Sequence, residues 1–174
     1  MNHKDHVDLL RGGIRPLGGL WADLGAGTGA FTLALADLIG SAGQIYAVDN
    51  DRSALRRLQN TMQSQFPATA IHVEAADFTR RLHLPPLDGV IMANSLHFYR
   101  DKKLVVETVR DYLRPGGRLV LVEYDTDRGN RWVPYPLAYP TWEVLAAQAG
   151  FADTRLLATK PSRFLGQIYS AVSR

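Results

Sequence analysis

Cysteine is absent from all 174 residues, which removes disulfides and thiolate-ligated metals from consideration and leaves the redox compartment undetermined. Long apolar runs are absent too: Gly, Asp or Arg interrupts every stretch well short of a membrane-spanning length. The opening Met1-Asn2-His3-Lys4-Asp5-His6 carries charge and no apolar signal core. No secretion signal is read there, and the cytoplasm is the expected location. Nor is there a block of positive charge. The formal net charge is +3, yet Arg52, Arg56 and Arg57 share one expected helix, Arg80 and Arg81 a loop, and Lys102 and Lys103 another helix. Scattered in this way, without alternating aromatics, they read as solvated faces rather than as a nucleic-acid platform.

What is present is an ordinary globular composition, 46% hydrophobic and 21% charged, in a chain long enough to bury a substantial core. Residues 1–174 are read as one domain without repeats or linkers. Strand-like and helix-like segments alternate, which predicts an α/β fold with a mostly parallel sheet covered on both faces. A short amphipathic helix is expected over His3 to Arg11, broken from the first strand by Gly12-Gly13 and by Pro16 to Gly19. Strands follow at Leu20 to Leu24, Gln44 to Val48, Ala70 to Glu74, Gly89 to Ala93 and Arg118 to Glu123. Between them lie helices over Gly29 to Ile39, over Asp51 to Phe66, and over a segment capped by Asp101 that carries Leu104, Val105, Val109 and Leu113. Arg114-Pro115-Gly116-Gly117 reads as a tight turn into the fifth strand. A long loop, Tyr124 to Pro140, precedes a last helix over Thr141 to Ala149. The final two strands, Thr154 to Thr159 and Leu165 to Ser173, are joined too closely to be parallel and are expected as an antiparallel pair.

The most informative segment is Asp23-Leu24-Gly25-Ala26-Gly27-Thr28-Gly29, where an apolar strand meets alternating glycines and then a helix. Such a junction predicts a shelf of backbone N–H groups able to hold a nucleotide-like cofactor. The next strand ends in Asp49, about 20 residues beyond Gly29, where an acid can accept the hydroxyls of a ribose. Asn50 and Asp51 are available to cap the following helix, which frees Asp49 for that role. Gly25, Gly27 and Ala30 also fit a dinucleotide fingerprint. Asp23 argues otherwise: a buried carboxylate is costly unless partnered, and a pyrophosphate site has no use for one. A cationic ligand does.

Asp-Leu-Gly-Ala-Gly-Thr-Gly followed by Ala-Val-Asp resembles the cofactor site of class I S-adenosylmethionine-dependent methyltransferases, and the resemblance runs from about Leu20 to Arg174. It implies a Rossmann-like three-layer sandwich whose mostly parallel seven-stranded sheet ends in an antiparallel C-terminal hairpin. It also implies S-adenosylmethionine as cofactor, with Asp23 and the Gly25, Ala26, Gly27 and Gly29 loop around the methionine arm and Asp49 on the ribose. Asp77 would accept from the adenine amino group, and Phe78 would offer its N–H and its ring to the purine. Val48, Asn50 and Leu82 are expected to line the purine slot. Asn94, beyond strand four, is expected at the methionine end, where ligands of open parallel sheets sit.

Residues 1–19 are expected as a helix and lead-in over the cofactor site, with Arg11-Gly12-Gly13 placed by position over the cofactor carboxylate. His97 is the candidate base, because its ordinary pKa lies near neutrality; a supporting, hydrogen-bonded histidine is the alternative. His3, His6 and Asp8 resemble a loose metal cluster, but His-x-x-His without a third ligand reads better as a solvated helix, so no metal is expected. Glu123, Tyr124, Asp125 and Asp127 leave strand five at the ligand edge, and Trp132, Tyr135 and Tyr139 are expected to wall the acceptor.

The implied reaction is in-line methyl transfer to a small, partly apolar acceptor. Enzymes that methylate base amino groups carry Asn or Asp, Pro-Pro and an aromatic after strand four; Asn94-Ser95-Leu96-His97 departs from that pattern. Other RNA positions, a dinucleotide-dependent oxidoreductase and a non-catalytic binding module stay as alternatives. So little chain lies outside the core that a large acceptor, a partner subunit or self-association is also expected to complete the site.

Overall fold

Helices begin where something can satisfy their first N–H groups. In the computed structural model, which describes residues 1–14 and 18–174, Asn2 and Asp5 form a reciprocal capping box at the start of α1 (His3–Arg11). Asp51 accepts from the Ser53 and Ala54 amides at the start of α3 (Arg52–Gln65), as expected, which leaves Asp49 outside the cap. Pro140 lies in the first turn of α5 (Tyr139–Gln148). Three of the described α-helices lack a side-chain cap: α2 (Ala30–Ile39), preceded by Gly29, α4 (Lys103–Tyr112), preceded by Lys102, and α5, preceded by Ala138. Asp101 therefore does not cap α4. The break expected over Pro16 to Gly19 falls largely on residues 15–17, outside the described range.

The strands are β1 (Gly19–Leu24), β2 (Gly43–Asp49), β3 (Ala70–Ala75), β4 (Leu87–Ala93), β5 (Leu113–Tyr124), β6 (Thr154–Ser162) and β7 (Gly166–Ser173). They form one seven-stranded sheet in the order β3-β2-β1-β4-β5-β7-β6. All neighbours from β3 to β5 are parallel, and β7 is antiparallel to both β5 and β6. This is the Rossmann-like sandwich with a C-terminal hairpin that the sequence predicts. One boundary differs. Leu113 pairs with Leu87 as the first residue of β5 rather than ending α4, and Arg114 to Gly117 loop out before pairing resumes at Gly89 and Arg118.

Side chains alternate between the two faces. Trp21, Ile45, Ile91, Val120 and Val122 point into a core shared with α1, α2 and α3, including Leu9, Leu10, Leu35, Ile39, Leu58 and Met62. Ala22, Leu24, Val90, Met92, Leu119 and Leu121 face α4 and α5, including Val106, Val109 and Trp142. Asp88 locks the lower edge: it accepts from the Leu20 amide at 2.7 Å and pairs with Arg114.

Between Asp88 and Val90, Gly89 lies under the Trp21 ring so closely that a β-carbon would overlap it. Gly89→Ala should destabilise the protein by about 1–3 kcal/mol. Adding Trp21→Leu should recover part of that loss in a urea-denaturation cycle, whereas additive losses would show that the ring is not the obstacle.

Candidate active site

The strand order reverses between the parallel neighbours β1 and β4: from β1 the sheet grows toward β2 and β3, and from β4 toward β5. The crevice at the carboxyl ends of these two strands is where open sheets bind ligands. The chain leaves β1 by an abrupt turn. Gly25 and Ala26 both donate to the Val48 carbonyl, at 2.8 and 3.1 Å, and Gly29 donates to Ala26 at 2.9 Å. Gly27 donates to Asp49 Oδ2 at 2.8 Å, while Asp49 Oδ1 accepts from the Asp51 amide at 2.8 Å. The expected shelf of free N–H groups is thus mostly used up in holding its own shape. Among these five loop residues, only Thr28 has an amide without such a bond.

The three glycines differ in what they need. At Gly25 and Gly29, with φ of +84° and +95°, a β-carbon would strike Ser95 and Leu58 respectively. At Gly27 it would meet nothing within 4 Å. Gly27 therefore borders open space, which leaves backbone accessible to a ligand.

Asp23 is 1% exposed, and its only hydrogen bond is from the Thr32 hydroxyl at 2.6 Å. Burial pushes its carboxyl up to about 7; the Thr32 bond opposes that rise, and the nearby Asp49 charge adds to it. Asp23 shares a cavity of about 210 Å³ with Met1, His6, Gly25, Ala26, Thr28, Ala30, Phe31, Ala93 and Asn94. Asn94 takes a left-handed backbone, φ 53°, and its buried Oδ1 has no hydrogen-bond partner. A buried acid without a counter-charge, an orphaned amide oxygen and an open glycine fit the amino-acid arm of S-adenosylmethionine.

On the other side of the loop, the Phe78 ring is buried near Gly25 and meets Tyr99 edge-on at 5.2 Å. Asp77 Oδ1 accepts from the Thr79 amide and hydroxyl, which hold its carboxyl below the ordinary value. Its Oδ2 lies 4.0 Å from Arg80 Nε. Asn50 is exposed at the end of β2, Leu82 is buried, and the Val48 carbonyl anchors the loop.

His97 sits in the short 3-10 turn Leu96–Phe98 after β4 and is 3% exposed. Its Nδ1 lies 2.8 and 3.0 Å from the two carboxylate oxygens of Glu123, a fully buried residue of β5 that also accepts from the Tyr124 amide. The sequence places Glu123 at this edge but does not pair it with His97. Their separation of 26 residues is bridged only by the parallel register of β4 and β5. The aromatic surroundings also differ from expectation. Rings of Phe98 and Tyr124 lie 4.4 and 6.0 Å from His97, and Phe164, from the β6–β7 turn, lies 5.9 Å from Tyr124. Of the three expected wall residues, Tyr135 donates its amide to the His97 carbonyl, Tyr139 bonds Glu143 and packs on Tyr169, and Trp132 is exposed beside Arg131.

The N-terminal histidines do not converge. His3 lies beside Asp37, Asp8 binds Lys160, and His6 packs on Phe31. No group of three or more metal-binding side chains occurs among the described residues. Gly12 and Gly13 pack on Leu157 and Val120 rather than lining the Asp23 cavity, because α1 runs down onto β6 and β5. Among the described residues, no helix is long and apolar enough to cross a membrane.

Comparison with known proteins follows the same lines. A family profile described as "Methyltransferase domain" matches residues 22–117. Carboxy-S-adenosyl-L-methionine synthase from Photobacterium profundum is 32% identical over 104 residues, covering 58% of this chain and 42% of its own. Ubiquinone/menaquinone biosynthesis C-methyltransferase UbiE from Shewanella frigidimarina is 26% identical over 128 residues, covering 72% and 49%. The chain thus spans less than half the length of these curated relatives. The crystal structure of CrArsM, an arsenic(III) S-adenosylmethionine methyltransferase from Chlamydomonas reinhardtii, superposes with a TM-score of 0.75 at 21% identity, covering 93% of this chain and 65% of that one. That likeness is one of fold.

Asp23 yields a test with opposite signs for stability and binding. Its folded pKa, about 7, lies well above the ordinary carboxylate value, so the folded chain holds this proton more tightly than the unfolded one. Raising pH through that window therefore removes stability from the ligand-free protein. The melting temperature of wild type relative to Asp23→Asn should fall between about pH 4 and pH 7. Affinity for a cationic ligand should rise over the upper part of the same window, by roughly tenfold per unit below pH 7. Calorimetric titration with S-adenosylmethionine at several pH values reads the second; an affinity flat with pH would contradict it.

Proposed function

The chain belongs to the methyltransferase-domain family, whose class I members use S-adenosylmethionine, and on that footing we propose that it transfers a methyl group to a small, partly apolar acceptor that must lose a proton. Bound S-adenosylmethionine supplies a methyl group on a positively charged sulfonium, already activated as an electrophile. The residues that would hold it are Asp23, Gly25, Ala26, Gly27, Gly29 and Asn94 around the amino-acid arm, Asp49 and Asn50 at the ribose, and Asp77 and Phe78 at the purine.

One observation carries the acceptor chemistry: the buried His97–Glu123 pair at the same strand edge. Glu123 fixes the imidazole orientation through Nδ1, which leaves Nε2 as the atom that takes a proton. It also stabilises the imidazolium that results. A base is useful only when the attacking atom arrives protonated, as in a phenol, an ammonium or a carbon next to a carbonyl. Phe98, Tyr124 and Phe164 supply apolar contact beside His97. UbiE, named as a C-methyltransferase of quinone biosynthesis, is a relative whose acceptor would fit this description. The basic residues are scattered along the sequence rather than gathered into one block, which gives RNA no support.

Activity is best measured as transfer of labelled methyl to a panel of phenols, quinols and β-dicarbonyl compounds. His97→Ala should bind S-adenosylmethionine within about twofold of wild type while losing on the order of 10²–10⁴ in turnover. Glu123→Gln should lose more than about tenfold in turnover. Unchanged turnover in His97→Ala would mean that positioning alone suffices and that the base assignment is wrong.

A further inference from the structure

His6 and Thr28 both line the Asp23 cavity, and neither side chain has a purpose in the proposed function. The His6 ring makes no hydrogen bond with any described residue and lies against the Phe31 ring, at a centroid distance of 4.6 Å. The Asn2–Asp5 capping box fixes the start of α1 at His3, and Lys160 of β6 grips Asp5 and Asp8, both at 3.1 Å, one on each side of His6 in sequence. Val7, Leu9 and Leu10 are buried behind it. The helix is thus fixed at three points, with the imidazole turned into the cavity.

The amino-acid arm of S-adenosylmethionine carries an ammonium and a carboxylate. Asp23 and Asn94 Oδ1 suit the positive part, since both are acceptors. The carboxylate needs donors, and the glycine loop offers few: the amides of Gly25, Ala26, Gly27 and Gly29 already have partners. What remains is the Thr28 amide, the first turn of α2, uncapped by any side chain, and the imidazole packed on its Phe31. We infer that His6 is the residue that binds the ligand's α-carboxylate, together with the uncapped first turn of α2. Lys160 is its positioning residue, acting through α1.

Burial, followed by the positive chain terminus and His3, holds the His6 ring below its ordinary pKa in the empty protein. An arriving carboxylate would favour the charged ring. Asp5 faces it from the same helix and Asp23 from β1.

This inference rests on S-adenosylmethionine being the ligand, so its test must fail separately from that reading. The probes are S-adenosylmethionine and its decarboxylated analogue, which keeps the sulfonium and the amine and lacks only the carboxylate. Titration calorimetry should find wild type preferring the intact compound by about tenfold or more. His6→Leu, which removes the donor, should lose that preference by weakening only the intact compound, while the analogue binds as before and so reports an intact fold. His6→Phe should behave alike. Equal binding of the two compounds by wild type, an unaltered preference in His6→Leu, or equal weakening of both would each overturn the role of His6 alone. Wild type that binds neither overturns the cofactor reading and this inference with it.

Discussion

Everything at the ligand edge hangs on the carbonyl of Val48. By accepting from both Gly25 and Ala26, it turns the chain out of β1 at once and ties the loop to the neighbouring strand. Asp49, the next residue, completes the tie by taking the Gly27 amide. The result is that β2 shapes the loop that follows β1. Neither strand could move without opening the space between Asp23, Asn94 and the start of α2. Such bracing holds a binding site in place before any ligand arrives, and so reduces the ordering cost of binding.

That rigidity leaves electrostatic tension unresolved. Asp23 is buried with the Thr32 hydroxyl for company, and Asn94 Oδ1 has no partner among the described residues. Buried polar groups in this condition are rare and raise the energy of the empty protein. A positively charged ligand relieves both at once. The fold tolerates the tension because two apolar cores, one on each side of the sheet, are closely packed around fully buried residues such as Trp21 and Trp142.

The strand–helix alternation, the antiparallel ending and most helix limits are legible in the sequence, since periodicity, glycine and capping residues are local signals. Asp51 illustrates this: its neighbours alone mark it as the cap of α3. Asp101 shows the limit, because an acid just ahead of α4 reads as a cap yet makes no capping bond there. The glycine motif identifies the loop but not how its amides are used; that depends on the β1–β2 register. Glu123 is visible as an edge residue, yet its bond to His97 requires β4 and β5 to be aligned. His6 is read in the sequence only as part of a loose histidine cluster on a helix over the cofactor site; its place at the Asp23 cavity, half-buried against Phe31, depends on α1 packing on α2.

Phe98 and Phe164 are 56% and 47% exposed, an unusual state for rings beside a buried ionisable pair. Water therefore wets the rim until something oily displaces it. The protein does not carry a finished roof; whatever is to be modified must bring the missing piece in its own skeleton. Molecules too polar to dewet those rings would leave the rim wet, so discrimination among acceptors would fall to drying rather than to shape.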